Sequence, residues 1–226
     1  MRYPTLILTL FLGTYLCGAQ ENIRKVDFKN FTYPLSGRLL GHDRLEWLDV
    51  GKHAKAKKPP IHLVRGSDLT KTSGSEIDGE QYAEYEGFTL ESVKFADLTG
   101  DGQDEAIVVL RYHTGGTQTT DYVYVYTLDE HKPRLLAYCH TGTRAYSGLY
   151  DVYGKDGSLI FELLDPKRAS GDCCSSRVAV WHFKWQNDRF EVFGPVARRN
   201  LPAQPISRED EEDDRKQSTP HPPQQE

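Results

Sequence analysis

The sequence predicts an all-β fold, an antiparallel meander arranged as a sandwich or as partial propeller-like sheets, with a less regular N-terminal part. Three observations predict it. From Leu90 onward, apolar runs of strand length recur, rich in Val, Tyr, Phe and Trp and bounded by Gly, Asn, Asp or Pro. Tyr122, Tyr124 and Tyr126 alternate with Val123 and Val125, which puts tyrosines on one face of a strand and valines on the other. Gly154-Lys155-Asp156-Gly157 and Gln186-Asn187-Asp188 separate apolar runs at hairpin distance.

Taken in order, residues 1–19 read as a signal peptide: Arg2, an apolar run from Leu6 to Leu16, then Cys17-Gly18-Ala19 before Gln20. Export follows, to the periplasm or outside the cell. The apolar run falls short of the roughly 20 residues of a membrane span, and no later stretch approaches that length, so no transmembrane segment is expected. Residues 20–206 are expected to form a single β-rich domain. Residues 207–226 hold the acidic run Glu209 to Asp214 followed by Pro, Gln and Ser, and with nothing to bury they predict a disordered tail. The formal net charge is -5 at pH 7. Lys52, Lys55, Lys57 and Lys58 precede Pro59-Pro60 without interleaved aromatics, which suits a solvated loop and not a nucleic-acid contact.

Within the domain, strands are expected at 26–33 and 61–64, a loop at 51–60 and a short helix around 75–85. The meander then continues through strands at 90–95, 105–112, 121–128, 134–140, 147–153, 158–163, 177–185 and 189–193. The tyrosine stripe reads as packed sheet aromatics, a carbohydrate or peptide platform being the other use of such a face. Trp181, Phe183 and Trp185 share one face and are expected to cover core.

The stretch "DLTGDGQDE", Asp97 to Glu105, concentrates carboxylates in a tight turn. Counted from Asp97, oxygen donors fall at alternating places as Asp97, Thr99, Asp101, the Gln103 carbonyl and Glu105, with Gly102 where a chain turns sharply around an ion. Hard oxygen donors at such positions suit calcium better than zinc or copper, which select His or Cys. The loop is not an EF-hand, because Val108 stands where a bidentate Glu belongs and strands flank it. The bland reading is a hairpin capped by Asp97 and Asp101. "FADLTGDGQDEAIVV" resembles the calcium loop of FG-GAP and VCBS-type repeats, with Thr99 in place of the usual Asn and Glu105 in place of the usual Asp. That resemblance covers one loop in a single copy and implies a structural calcium ion. More widely, "VDFKNFTYPL", "HTGGTQTTDYVYVY", "TGTRAYSGLYDVY" and "SGDCCSS" resemble a group of uncharacterised exported bacterial proteins, which implies export and a fold but no activity.

Removal of Cys17 leaves Cys139, Cys173 and Cys174, and export permits disulfides. Either Cys139 bonds one of the adjacent pair, or Cys173 and Cys174 bridge each other and leave Cys139 buried in a strand. No local nucleophile, phosphate loop or dinucleotide fingerprint is present: "AYSGL" around Ser147 is not a nucleophile elbow, and Ser170 has no such flanks. His113, His140 and His182 lie in or beside strands and could meet only in the fold. Asn30-Phe31-Thr32 is a glycosylation sequon that matters only in a eukaryotic secretory pathway. The expectation is an exported, calcium-stabilised β domain that binds or scaffolds a protein or glycan ligand. The alternatives are an envelope-polymer hydrolase whose site assembles only in the fold, and a redox-responsive protein using Cys173 and Cys174.

Overall fold

The computed structural model describes residues 22–35, 59–77, 80–116, 118–143, 147–165 and 175–202. The proposed signal peptide, the lysine-rich loop, Ser170, Cys173, Cys174 and the acidic tail lie outside them. Among the described residues the protein is all-β, with no α-helix. A short 3-10 turn (Ile23–Lys25) leads to β1 (Thr32–Tyr33), β2 (Ile61–His62), β3 (Thr70–Ile77), β4 (Glu80–Ala96), β5 (Glu105–Thr114), β6 (Thr119–Asp129) and β7 (Lys132–His140). β8 (Leu149–Lys155), β9 (Ser158–Leu164), β10 (Arg177–Gln186), β11 (Arg189–Val192) and β12 (Ala197–Asn200) follow.

Strands β3 to β7 form one antiparallel sheet in sequence order, and β8 to β11 form the spine of another, with β12 pairing β10 beyond the end of β11. The two sheets pack face to face as a sandwich. Alternation along each strand decides which side chains meet. Ile107, Val109, Val123, Val125, Ala137 and Cys139 of the first sheet meet Val152, Leu159, Phe161, Leu163, Phe183 and Phe190 of the second. Trp181 and Trp185 pack on the margin of that core, on the face expected for them.

The first sheet is buried on its other side as well. Ala106, Val108, Leu110, Tyr122, Tyr124, Tyr126 and Tyr138 are covered by Ile23, Phe28, Tyr33, Ile61 and Leu63 from the N-terminal strap. The Tyr33 hydroxyl donates to the Phe28 carbonyl at 2.7 Å and the Tyr124 hydroxyl to that of Pro34 at 3.0 Å. The tyrosine stripe is therefore core, not platform. Tyr124 and Tyr138 stack with ring centroids 5.4 Å apart, while Phe31 meets Tyr126 edge-on at 5.3 Å.

Two expectations are corrected. The described residues of the stretch 75–85 are not helical; 75–77 belong to β3 and 80–85 to β4, which pair from Thr70 with Glu86 to Ile77 with Glu80. The helix-favouring run of Glu, Gln and Ala is overridden by cross-strand pairing, since propensity is weak against tertiary context. The strand expected at 26–33 shrinks to Thr32–Tyr33, because Asn22 caps the 3-10 turn and Asp27 accepts from the Lys29 amide in a second turn. The two tight hairpins stand as expected. Asp156 and Gly157, and likewise Asn187 and Asp188, have positive φ, as a two-residue primed turn requires.

Candidate metal centre

The acidic stretch is the connection between β4 and β5, which pair from Ala96 with Glu105 inward. It folds around its own carboxylates. Asp97 Oδ1 accepts from the Gly100 amide at 2.7 Å and Oδ2 from the Gly102 amide at 3.0 Å. Gly100 and Gly102 have φ of 80° and 83°, the left-handed region that lets their N–H groups turn inward. Asp101 Oδ1 accepts from the Gln103 amide at 2.8 Å.

Glu105 is fully buried. Its Oε2 accepts from the backbone amides of Leu98 and Thr99 at 2.8 and 3.0 Å, and its Oε1 accepts from the Thr127 hydroxyl at 3.1 Å. Burial, the largest influence, pushes its carboxyl above the usual range, against the lowering effect of these donors. A dication beside it would act in the opposite direction. Asp104 turns away and pairs with Arg24 Nε at 2.7 Å, and the same guanidinium stands over the Phe95 ring. The turn thus joins β4, β5, β6 and the N-terminal strap. Leu98 extends the junction into the inter-sheet core.

The donor set is all oxygen and anionic, which is calcium chemistry. The arrangement is a self-satisfied turn: among the described residues, no three His, Cys, Asp or Glu side chains form a metal-holding group. Asp97, Thr99, Asp101, Gln103 and Glu105 are brought into one turn, but Thr99 and Glu105 face each other and the amides, and Asp101 is exposed. No protein-family model, curated protein or solved structure matches this chain.

The strand histidines do not converge. His113 Nε2 lies 3.0 Å from Thr89 Oγ1, on the face that also carries Arg111. His140 meets Tyr122 edge-on on the opposite face, and His182 belongs to the second sheet. Sequence reasoning missed the polar row beside His113, in which Thr89, Arg111 and Asp121 are register partners across three strands. Arg111 Nε donates to Asp121 Oδ1 at 2.9 Å and its Nη1 pairs with Glu91 at 3.1 Å, so one guanidinium offsets two carboxylates. Only the i, i+10 spacing of Arg111 and Asp121 across a short turn could have signalled it.

Among the described residues Cys139, fully buried in β7, has no disulfide partner, and burial pushes its thiol far above the usual range. A thiol so placed is a small apolar filler and a poor nucleophile. Its suggested partners lie outside the described residues.

Proposed function

We propose that this chain is an exported β-sandwich module with a binding or scaffolding role, stabilised by calcium at the Asp97–Glu105 turn. One observation carries the structural part of this reading. The buried Glu105 carboxylate holds the turn to Leu98, Thr99 and Thr127, at the point where both sheets and the strap meet. A turn in that place serves the architecture and leaves recognition to the surface. Asp97, Thr99, Asp101, the Gln103 carbonyl and Glu105 are the residues that would hold the ion. Calcium there would neutralise like charges that otherwise repel across the turn.

The test is calcium titration by calorimetry on the chain from Gln20, beside thermal melts with calcium and with chelator, for the parent and for Asp101→Ala. Binding heat and a raised melting temperature in the parent alone are expected. Equal melts in calcium and chelator, with no binding heat, would remove calcium from this reading.

A further inference from the structure

Three arginines, Arg177, Arg198 and Arg199, meet two buried carboxylates, Asp165 and Glu162, at one end of the second sheet. Arg177 reaches Asp165 Oδ2 through Nε and Nη2 at 3.0 and 2.7 Å, and Arg198 Nε reaches the same oxygen at 3.2 Å. Arg199 is paired with Glu162 and stands over the Tyr150 ring. Asp151, the register partner of Glu162 in β8, is already held by Lys94. One positive charge is therefore left over. It belongs to Arg198, whose side chain is 49% exposed and of which only Nε has a partner among the described residues.

β12 carries Arg198 on the margin of that sheet. Among the described strands it pairs with β10 alone, and Ala197 to Asn200 are all exposed. The Leu201 amide donates to the Ser176 carbonyl at 2.8 Å. By the alternation of an antiparallel ladder, the amides of Ala197 and Arg199 also face β10, and those of Arg198 and Asn200 face outward. The Arg198 guanidinium thus stands beside two outward N–H groups, while the carbonyls of the same two residues stay with water. The partner that answers this set of donors is an anion that only accepts, a carboxylate.

The chain itself supplies one. Seven residues beyond Pro202 comes Glu209, the first of six consecutive acids that end at Asp214. Seven residues reach up to about 25 Å, whereas the four residues of β12 span about 14 Å. The run can therefore return along the strand it follows. A short tether holds it there at an effective concentration of order mM, which an unlinked acidic chain has to match.

We propose that the acidic run Glu209–Asp214 docks along the outer edge of β12, its carboxylates accepting from Arg198 and from the outward amides of Arg198 and Asn200. The inference goes beyond the binding role proposed above and does not depend on calcium at the Asp97–Glu105 turn.

The test is amide exchange at Arg198 and Asn200, followed by NMR on the labelled chain from Gln20 with chelator throughout, so that no divalent ion sits on the acids. The parent is compared with a chain whose residues 209–214 are changed to Ser, with Arg198→Gln, and with both changes together. The expected result is exchange slower by about threefold or more in the parent than in the Ser chain, the scale of a few exposed ion pairs. In the Arg198→Gln background the same Ser change is expected to have little effect, a comparison that cancels the guanidinium's own influence on exchange. Arg198→Lys, which keeps the charge, retains the protection. Salt at about 1 M, where the screening length falls to about 3 Å, removes it. Asp165 keeps Arg177 in every variant, and unchanged exchange at the buried Phe183 shows that the second sheet is intact. Equal exchange in the parent and the Ser chain at low salt would overturn the proposal, as would protection that survives Arg198→Gln or high salt. Protection that grows with protein concentration would assign the contact to the run of a second copy and overturn docking within one chain.

Discussion

Gly154 in β8 faces Ala96 in β4 so closely that a Cβ at position 154 would lie 2.2 Å from the Ala96 Cβ and 3.1 Å from Leu98 Cδ2. The two sheets approach here at a distance only glycine permits. Gly154→Ala is expected to destabilise the fold by about 1–3 kcal/mol, the usual effect of forcing a methyl group into a packed core. Urea unfolding checks this, and adding Ala96→Gly is expected to restore part of the loss.

Glu105 is the buried acceptor for two backbone amides of its own turn. Glu105→Ala leaves both without a partner, and an unsatisfied buried group costs about 1–3 kcal/mol. The expected result is a lower urea midpoint with an unchanged slope, whereas Glu105→Gln, which keeps an acceptor oxygen, loses less. Equal effects of the two changes would show that the hydrogen bonds contribute little.

Asp121 gives a pH dependence. Burial, its largest influence, raises the folded carboxyl above the ordinary aspartate value, and Arg111 offsets only part of this. The folded protein therefore holds its proton at pH values where the unfolded chain has released it. Stability from this group is full below the ordinary value of about 3.9 and declines as pH rises through the raised folded value. The stability difference between the parent and Asp121→Asn, measured by unfolding at a series of pH values, is expected to shift against the parent across that window. A difference independent of pH would contradict it.

Tyr33 of the strap and Tyr126 of the sheet beneath it differ in one atom's surroundings. The buried Tyr126 hydroxyl has no hydrogen-bond partner among the described residues, whereas that of Tyr33 donates to Phe28. Tyr126→Phe is expected to be neutral or stabilising, and Tyr33→Phe to lose about 1 kcal/mol. Thermal melts of the two variants should fall on opposite sides of the parent, or one beside it and one below.

The parts of this fold legible in the sequence are those with local signatures. β5 to β7 and β9 to β11 follow runs of β-branched and aromatic residues. The Asp156-Gly157 and Asn187-Asp188 turns carry the residues that positive φ demands. In the strap, β1 and β2 fall within the strands expected at 26–33 and 61–64, but its docking is not legible, because Ile23, Phe28 and Ile61 have no period of their own and are placed only by the tyrosine face they cover. The β3–β4 hairpin is not legible because its pairing, not its composition, fixes it. In the acidic turn the ligand-like spacing was visible, but the pairs that organise it were not: Arg24 reaches Asp104 across 80 residues, and Thr127 reaches Glu105 across 22. Sequence spacing carries no signal at such separations.

The strap also sets a problem of timing. Residues 22–35 and 59–67 leave the ribosome first, yet the surface that accommodates them is built from β5, β6 and β7, which come later. Contacts of such long range cost loop-closure entropy before they return any stability, and so slow folding. Until they form, the growing chain presents a sheet whose tyrosine side is bare, and unsatisfied apolar surface of that kind is what drives nascent chains to aggregate. The strap is thus made before the surface that seats it, and its own apolar residues Ile23, Phe28 and Ile61 stay uncovered until β5, β6 and β7 are in place.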